Sequence, residues 1–408
     1  MTAREYPVFT VTPKAERSLR AGHPWVYGEE VTAVEGAYQN GDMVDVVSNK
    51  GRYLGTGWVN DHSKIRVRII SRNANDTFDE AFFRRRVCYA LNYRKTVMGP
   101  VDYRCCRLIF GEADQFPGLT VDRFENILVT QVLSLGMERR KDWVYRALVE
   151  LLREDGEQID AIYERNDVAI RTLEGLEQGK GFYQMEGLKT DLSGHVTITE
   201  NRIKYDVDYM EGQKTGFFLD QKYNRQAAAK LARGRRVLDC FTHTGAFALN
   251  AAAAGAEHVT AVDVSAFALE LAAENGKRNG LTNLDYKCAD VFDLLTEMDK
   301  EKKCDYDYII LDPPAFTKSR ATAKNAYHGY KEINRKAMRL LPRGGYLATC
   351  SCSHFMTDEM FRKMLQEAAL DAGVTLRQIE ARQQAPDHPI LPEVPETDYL
   401  KFYLLQVV

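Results

Sequence analysis

The residues best placed to do chemistry lie in the last 170 positions, where four aspartates each close an apolar run. Asp239 stands in "VLDCFTHTGAFALNAA", Asp263 in "AVDVS", Asp290 in "KCADVFD" and Asp312 in "LDPPAF". In an open α/β sheet, ligands lie beyond the carboxyl ends of the strands, where these side chains would sit. A carboxylate at Asp263 would accept two hydrogen bonds from ribose hydroxyls. Asp290 and Val291 could hold an adenine edge by an amine-to-carboxylate bond and an apolar wall. Gly245 falls where the turn after the first strand enters a helix and would let backbone approach a ligand. Each aspartate could instead simply cap the helix that follows it. The repetition at successive strand ends favours a shared site, in which Phe241, Thr242 and Thr244 of the first turn and Val264 beside Asp263 are included.

Two features point to S-adenosylmethionine rather than a nicotinamide dinucleotide. The first turn lacks the G-x-G-x-x-G of a pyrophosphate loop, and the fourth strand runs into Asp312-Pro313-Pro314. The prolines keep the backbone extended and remove donors. The carboxylate and nearby carbonyls can then accept from a planar substrate.

A pair of thiols follows in "GGYLATCSCSHFM". Cys350 belongs to the strand and is expected to pack in the core. Cys352 falls at the strand exit, before a helix expected near Phe355, whose N-terminus would favour a thiolate. On base rates both would be small buried hydrophobes. None of the eight cysteines shows C-x-x-C spacing, so neither a zinc centre nor any other metal site is expected.

The elements that must carry these residues show three rhythms along 408 positions. Up to about residue 75, short strands alternate with turns. A hairpin is expected around Asn49-Lys50-Gly51, a period-two strand at "KIRVRII" and a short helix at 13–20. Residues 76–188 read as a mixed α+β unit, with Phe82, Phe83, Val87, Ala90 and Leu91 on one helix face and a second helix at about 137–153. Residues 189–408 alternate strand and helix, with helices from about 245, 265, 291, 325 and 355. The closing segments "VTLRQIEARQQ" and "YLKFYLLQVV" read as antiparallel edge strands. The fold class is α/β: a doubly wound domain behind a small β-barrel and a central α+β domain.

At this point several stretches resemble one family. "EGQKTGFFLDQKYNR", "DCFTHTGAFALNAA", "VDVSAFALELAAENGKRNGL", "DPPAFTKS" and "TCSCSHFM", with "GHPWVY" and "GEADQFPGLTVDRF" earlier, are similar to the bacterial PUA-domain class I methyltransferases acting on large-subunit ribosomal RNA. The resemblance spans nearly the whole chain. It implies a PUA-like RNA-binding domain, a Rossmann-like catalytic domain, S-adenosylmethionine as methyl donor and ribosomal RNA as partner. It also adds Gly216, Phe218 and Leu219 to the cofactor pocket. Members methylate carbon 5 of cytosine, a poor nucleophile until a thiolate adds to carbon 6. Cys352 lies where such enzymes carry that thiolate, and Asp312 would hold the cytosine amine and ring nitrogen. The base that removes the carbon 5 proton is unassigned, with Lys318 and His354 nearby in sequence.

Two other functions stay open at this level. Methylation of an exocyclic base nitrogen suits Asp-Pro-Pro followed by Phe316 and needs no thiol. A non-catalytic assembly factor would bind cofactor and RNA without transfer. The net charge of −3 requires any RNA surface to come from local basic clusters, for which residues 63–72, 83–95 and 138–141 are candidates. Solvated faces of ordinary elements would look the same. With no apolar leader and no membrane-spanning run, a cytoplasmic setting is expected. The oligomeric state is left open, a homodimer included.

Overall fold

The computed structural model describes residues 5–301, 305–317 and 322–408. They fall into two compact units. One holds the chain up to Ile198 with Val207–Leu219 and Pro386–Thr397, and the other holds Thr199–Asp206, Asp220–Ala385 and Asp398–Val408.

The first unit contains two sheets. Six strands, Val8–Val11, Trp25–Tyr27, Val31–Glu35, Met43–Ser48, Tyr53–Val59 and Ile65–Ser71, close around Phe9, Val11, Leu19, Val26, Val46 and Val67. The helix expected at 13–20 is present, with Thr12 as its N-cap and Pro13 at its first position. A second sheet joins Cys105–Phe110, Leu119–Phe124, Ile127–Val132, Ala161–Asn166 and Gly179–Phe182. Helices Glu80–Val97 and Lys141–Glu154 accompany this sheet. Phe82, Phe83, Val87, Ala90 and Leu91 are all buried, as their spacing predicts. The edge strand at Gly179–Phe182 was not legible in advance, because two glycines in four residues carry little strand propensity. The hairpin His195–Glu200 and Ile203–Asp208, which is divided between the two units, was not expected either, although its β-branched residues suit strands.

In the first unit the three basic clusters are largely neutralised within the protein. Arg66 pairs with Asp61, and Arg68 with Glu174 and Glu112. Arg84 bonds Glu150 and Glu154, Arg85 lies by Asp76, and Arg94 is fully buried against Asp114. Arg139 meets Asp42, and Lys141 meets Glu138 and Glu164. These residues hold elements together, so basic composition alone does not mark a nucleic-acid surface here.

The second unit is built on a seven-stranded sheet: β1 (Arg236–Cys240), β2 (His258–Asp263), β3 (Leu284–Cys288), β4 (Tyr308–Leu311), β5 (Tyr346–Ser351), β6 (Leu376–Arg382) and β7 (Lys401–Val407). Their order is β3-β2-β1-β4-β5-β7-β6, with the first five parallel and β7 antiparallel to both its neighbours. Besides a leading helix, Lys222–Ala229, the helices are α1 (Ala246–Ala253), α2 (Ala266–Arg278), α3 (Val291–Glu301), α4 (Ala323–Leu340) and α5 (Asp358–Ala372). Two apolar clusters form, one around Leu238, Ile309, Leu347 and Phe361, the other around Val237, Val259, Ile310 and Phe402. Strands apolar on both sides are what a covered parallel sheet requires. The antiparallel pairing of β6 with β7 was expected. The insertion of β7 against β5, which sets Lys401 opposite Ser351, was not.

Candidate active site

The turn leaving β1 is unusual for a loop with a single glycine. Phe241, His243 and Gly245 have φ of 63°, 52° and 84°, and left-handed backbone at a non-glycine residue costs about 1–3 kcal/mol. Three bonds hold it there. The N–H groups of Thr242, His243 and Gly245 donate to the Val262 carbonyl, to Asp263 Oδ2 and to the Thr242 carbonyl, each at 2.9 Å. Thus β2 and its terminal carboxylate fix the shape of the first loop. A Cβ on Gly245 would come within 2.5 Å of Leu249 and 2.9 Å of Ala272. This glycine therefore also serves close packing of the loop against α1 and α2.

Asp239 is fully buried, and Thr242 Oγ1 donates to its Oδ2 at 2.5 Å. Its Oδ1 makes no hydrogen bond of ordinary geometry among the described residues. Burial, with Asp312 nearby, pushes its pKa up to about 7. Thr244 is half-buried in the same loop, and Phe241 packs against the core. Asp263 Oδ1 accepts from Ser265 N at 2.9 Å, so both its oxygens already hold one N–H and each retains a second lone pair. Asp290 does what the simpler reading of these aspartates allowed: its Oδ1 accepts from Phe292 and Asp293 N–H at the start of α3. Val291 is 3 % exposed and its side chain is committed to the core. The accessible apolar surface lies instead at Val264 and Phe267, which are 72 % and 64 % exposed. Phe267 was not singled out in the sequence, because apolar helix residues usually face inward.

At the end of β4, Asp312 receives a hydrogen bond from Gln221 Nε2 at 3.0 Å. Asn224 Nδ2 in turn donates to Gln221 Oε1 at 2.7 Å, so a relay of amides orients the carboxylate. Burial and the nearby Asp220 raise the Asp312 pKa to about 6. Gln221 and Asn224 sit in "LDQKYNR", whose residue types alone do not mark a site. Polar helix residues look surface-bound until the fold buries them.

The two cysteines differ. Cys350 is fully buried, and burial followed by the adjacent Asp312 pushes its thiol pKa well up. Cys352 is half-exposed, and its Sγ lies 3.9 Å from the Pro313 carbonyl, beside the Asp312-Pro-Pro turn. The helix expected near Phe355 instead begins at Asp358, with Thr357 as N-cap. The reason is local: Thr357 Oγ1 can accept from Met360 N–H, and Asp358 and Glu359 suit the first turn. Five residues lie between Cys352 and Asp358, so the thiol does not sit in the helix's first turn, where its dipole acts most strongly. Lys401 is a cation near Cys352; its place was not legible in the sequence, because Lys in a terminal strand has no signature.

Phe316 is held by Tyr330, ring centroids 4.5 Å apart, and by Phe292 at 5.7 Å. His354 lies beside Phe355, with a buried Nδ1 that has no partner among the described residues. Lys318 lies outside the described residues. Gly216, Phe218 and Leu219 belong to the first unit. There Gly216 has φ 121°, Lys214 Nζ lies 4.7 Å from the Phe218 ring centroid, and Leu219 is buried.

Within the second unit, an uncompensated carboxylate at Asp239, a carboxylate with spare lone pairs at Asp263 and exposed apolar surface at Val264 suit an amino-acid ammonium, a ribose diol and an adenine in turn. These are the parts of S-adenosylmethionine, so the residues fit that group. The strand order and the site together define a class I, Rossmann-like methyltransferase.

Comparison with known proteins agrees. A PUA-like domain model matches residues 9–72, and an S-adenosylmethionine-dependent methyltransferase model matches residues 183–405. Ribosomal RNA large subunit methyltransferase I of Pseudoalteromonas atlantica is 40% identical over 403 residues, covering 98% of this chain and 99% of its own. The protein of that name from Shewanella denitrificans is 42% identical over 398 residues, covering 97% and 98%. A candidate SAM-dependent methyltransferase from Streptococcus mutans superposes with a TM-score of 0.81 at 22% identity, over 98% of this chain and all of that one. A further methyltransferase-like structure, complexed with SAH, gives 0.82 at 21% identity over the same shares. The chain belongs to the S-adenosylmethionine-dependent methyltransferases, in the family of ribosomal RNA large subunit methyltransferase I. It is an enzyme, and S-adenosylmethionine is its cofactor.

Proposed function

We propose that this protein methylates carbon 5 of a cytosine in large-subunit ribosomal RNA, with Cys352 as nucleophile and Asp312 as the group that holds the base. The observation that carries the reading is the contrast between the two thiols. Cys350 is sealed and hydrogen-bonded to Asp312, whereas Cys352 is half-exposed beside the Asp-Pro-Pro turn. Addition of the Cys352 sulfur to carbon 6 makes carbon 5 an enamine carbon. Bound S-adenosylmethionine supplies an electrophilic methyl group for it. Loss of the carbon 5 proton to a base, then departure of the thiolate, restores the ring.

Asp312, with a pKa near 6, can present a carboxylic acid to the pyrimidine edge. Its O–H would donate to the ring nitrogen while its carbonyl oxygen accepts from the amine. Protonic assistance at that nitrogen draws electron density from carbon 6 and favours attack there. Asp239, Asp263, Asp290, Val264 and the 241–245 loop are assigned to the cofactor, with Val291 contributing only its backbone because its side chain is buried in the core; Gly216, Phe218 and Leu219 are assigned to it by the family resemblance alone. Within this reading residues 1–75 supply backbone contacts to RNA, residues 76–188 form the central domain, and residues 189–408 read the base.

The exocyclic-nitrogen alternative is less well supported, because the Phe316 ring is packed into the protein's own aromatic cluster. The deciding experiment incubates wild type and Cys352→Ala with unmodified ribosomal RNA and labelled S-adenosylmethionine. Wild type should yield labelled 5-methylcytidine. The variant should lose at least 10³-fold in turnover and form no covalent complex with 5-fluorocytidine-substituted RNA. Full activity in the variant would exclude the covalent route.

A further inference from the structure

Lys401, the first residue of β7, is 4 % exposed, an uncommon setting for a lysine. Antiparallel pairing places it opposite Ser351, one residue before Cys352. Its ammonium reaches under the loop beyond β5, where Nζ donates to the Ser353 carbonyl at 2.7 Å and to the Tyr399 carbonyl at 2.8 Å. Among the described residues, no carboxylate lies within ion-pair distance of it.

The charged groups facing Lys401 come from three directions. Asp398 precedes β7, Cys352 follows β5, and Asp358 opens α5. The Tyr403 hydroxyl donates to Asp358. A buried ammonium held only by carbonyls is an unbalanced charge, and such groups need a counter-ion. From these contacts we propose that Lys401 is a positioning residue for Cys352: it pins the 351–353 backbone and supplies the positive charge that favours the thiolate. The assignment rests on the reading of Cys352 as nucleophile. Lys401 itself forms and breaks no bond to substrate.

Supporting this, burial lowers the Lys401 pKa to about 8, while Asp398 and a Cys352 thiolate favour its charged form. It is therefore charged at neutral pH, where a thiol of ordinary pKa is only a few per cent ionised, and its help fades as pH rises past 8.

The test measures the pH dependence of iodoacetamide alkylation at Cys352, resolved by peptide mass spectrometry, in the full-length protein without RNA. Lys401→Met should raise the midpoint at Cys352 by about one pH unit, roughly a tenfold loss of thiolate at pH 7. Lys401→Arg, which retains the charge, should restore most of it. An unchanged midpoint in a Lys401→Met protein that still binds S-adenosylmethionine overturns the assignment. If that variant does not fold, Lys401→Gln keeps a donor to the carbonyls without charge and must show the same rise. Alkylation needs no methyl transfer, so retention of activity by Cys352→Ala would sink the nucleophile and leave this measurement standing on its own.

Discussion

Arg94 and Asp239 are both ionisable and both fully buried, yet their surroundings are opposite. Arg94, in the first unit, donates to Asp114 through two nitrogens and to the Arg107 and Asp387 carbonyls. Asp239, in the second, has one hydroxyl on one oxygen and, among the described residues, no hydrogen bond of ordinary geometry on the other. The pattern extends to their neighbours. Arg107 and Thr215 both bond Asp122 in the first unit. In the second, Asp312 has a raised pKa and Lys401 a lowered one, burial being the main cause in each. Paired charges consolidate structure. Unpaired ones keep a free-energy deficit that a ligand can relieve, so perturbed groups gather at sites that bind and react.

The comparison can be broken from either side. From the side of the second unit, the break is Asp312→Asn, which cannot present an acid to the base. Turnover should fall about 100-fold and the pH–rate profile should lose the limb set by a group near pH 6. A wild-type profile without that limb would contradict the acid role.

Next comes Arg94→Met, which leaves Asp114 buried without its cation. It should cost about 3–5 kcal/mol of stability in denaturant unfolding while the folded fraction keeps its cofactor affinity. Arg84→Gln removes an equally well-formed but exposed pair with Glu150 and Glu154, and should cost under about 1 kcal/mol.

A pH-dependent shift is expected at Asp239. Its folded pKa near 7 lies above the unfolded value near 4, so the folded state holds the proton more tightly. Its contribution to stability therefore declines as pH rises from about 4 through 7. Asp239→Asn should unfold like wild type at pH 4 and melt several degrees higher at pH 8, while binding S-adenosylmethionine more weakly. Equal melting at both pH values would mean that the carboxylate is better compensated than its contacts indicate.

Much of this protein was readable from local pattern. Period-two and apolar runs located the strands, and helix starts near 245, 265 and 291 were met within a residue, because amphipathic periodicity and capping are local properties. The separate fates of Cys350 and Cys352 followed from the same logic, since a strand ends between them. Asp290 shows the limit of such reading, because the cap it forms and the ligand contact imagined for it use the same side chain.

What the chain order could not supply was which distant segments would meet. The last strand lies against β5 rather than at the edge, and only this brings Lys401 to the loop of Cys352. The bonds from Val262 and Asp263 hold left-handed backbone at Phe241 and His243, where sequence would have asked for glycines. Residue type and spacing determined the elements and the candidate chemistry. Partnership in space decided which charges would be satisfied, since a hydrogen bond or ion pair depends on distance through the fold and not along the chain.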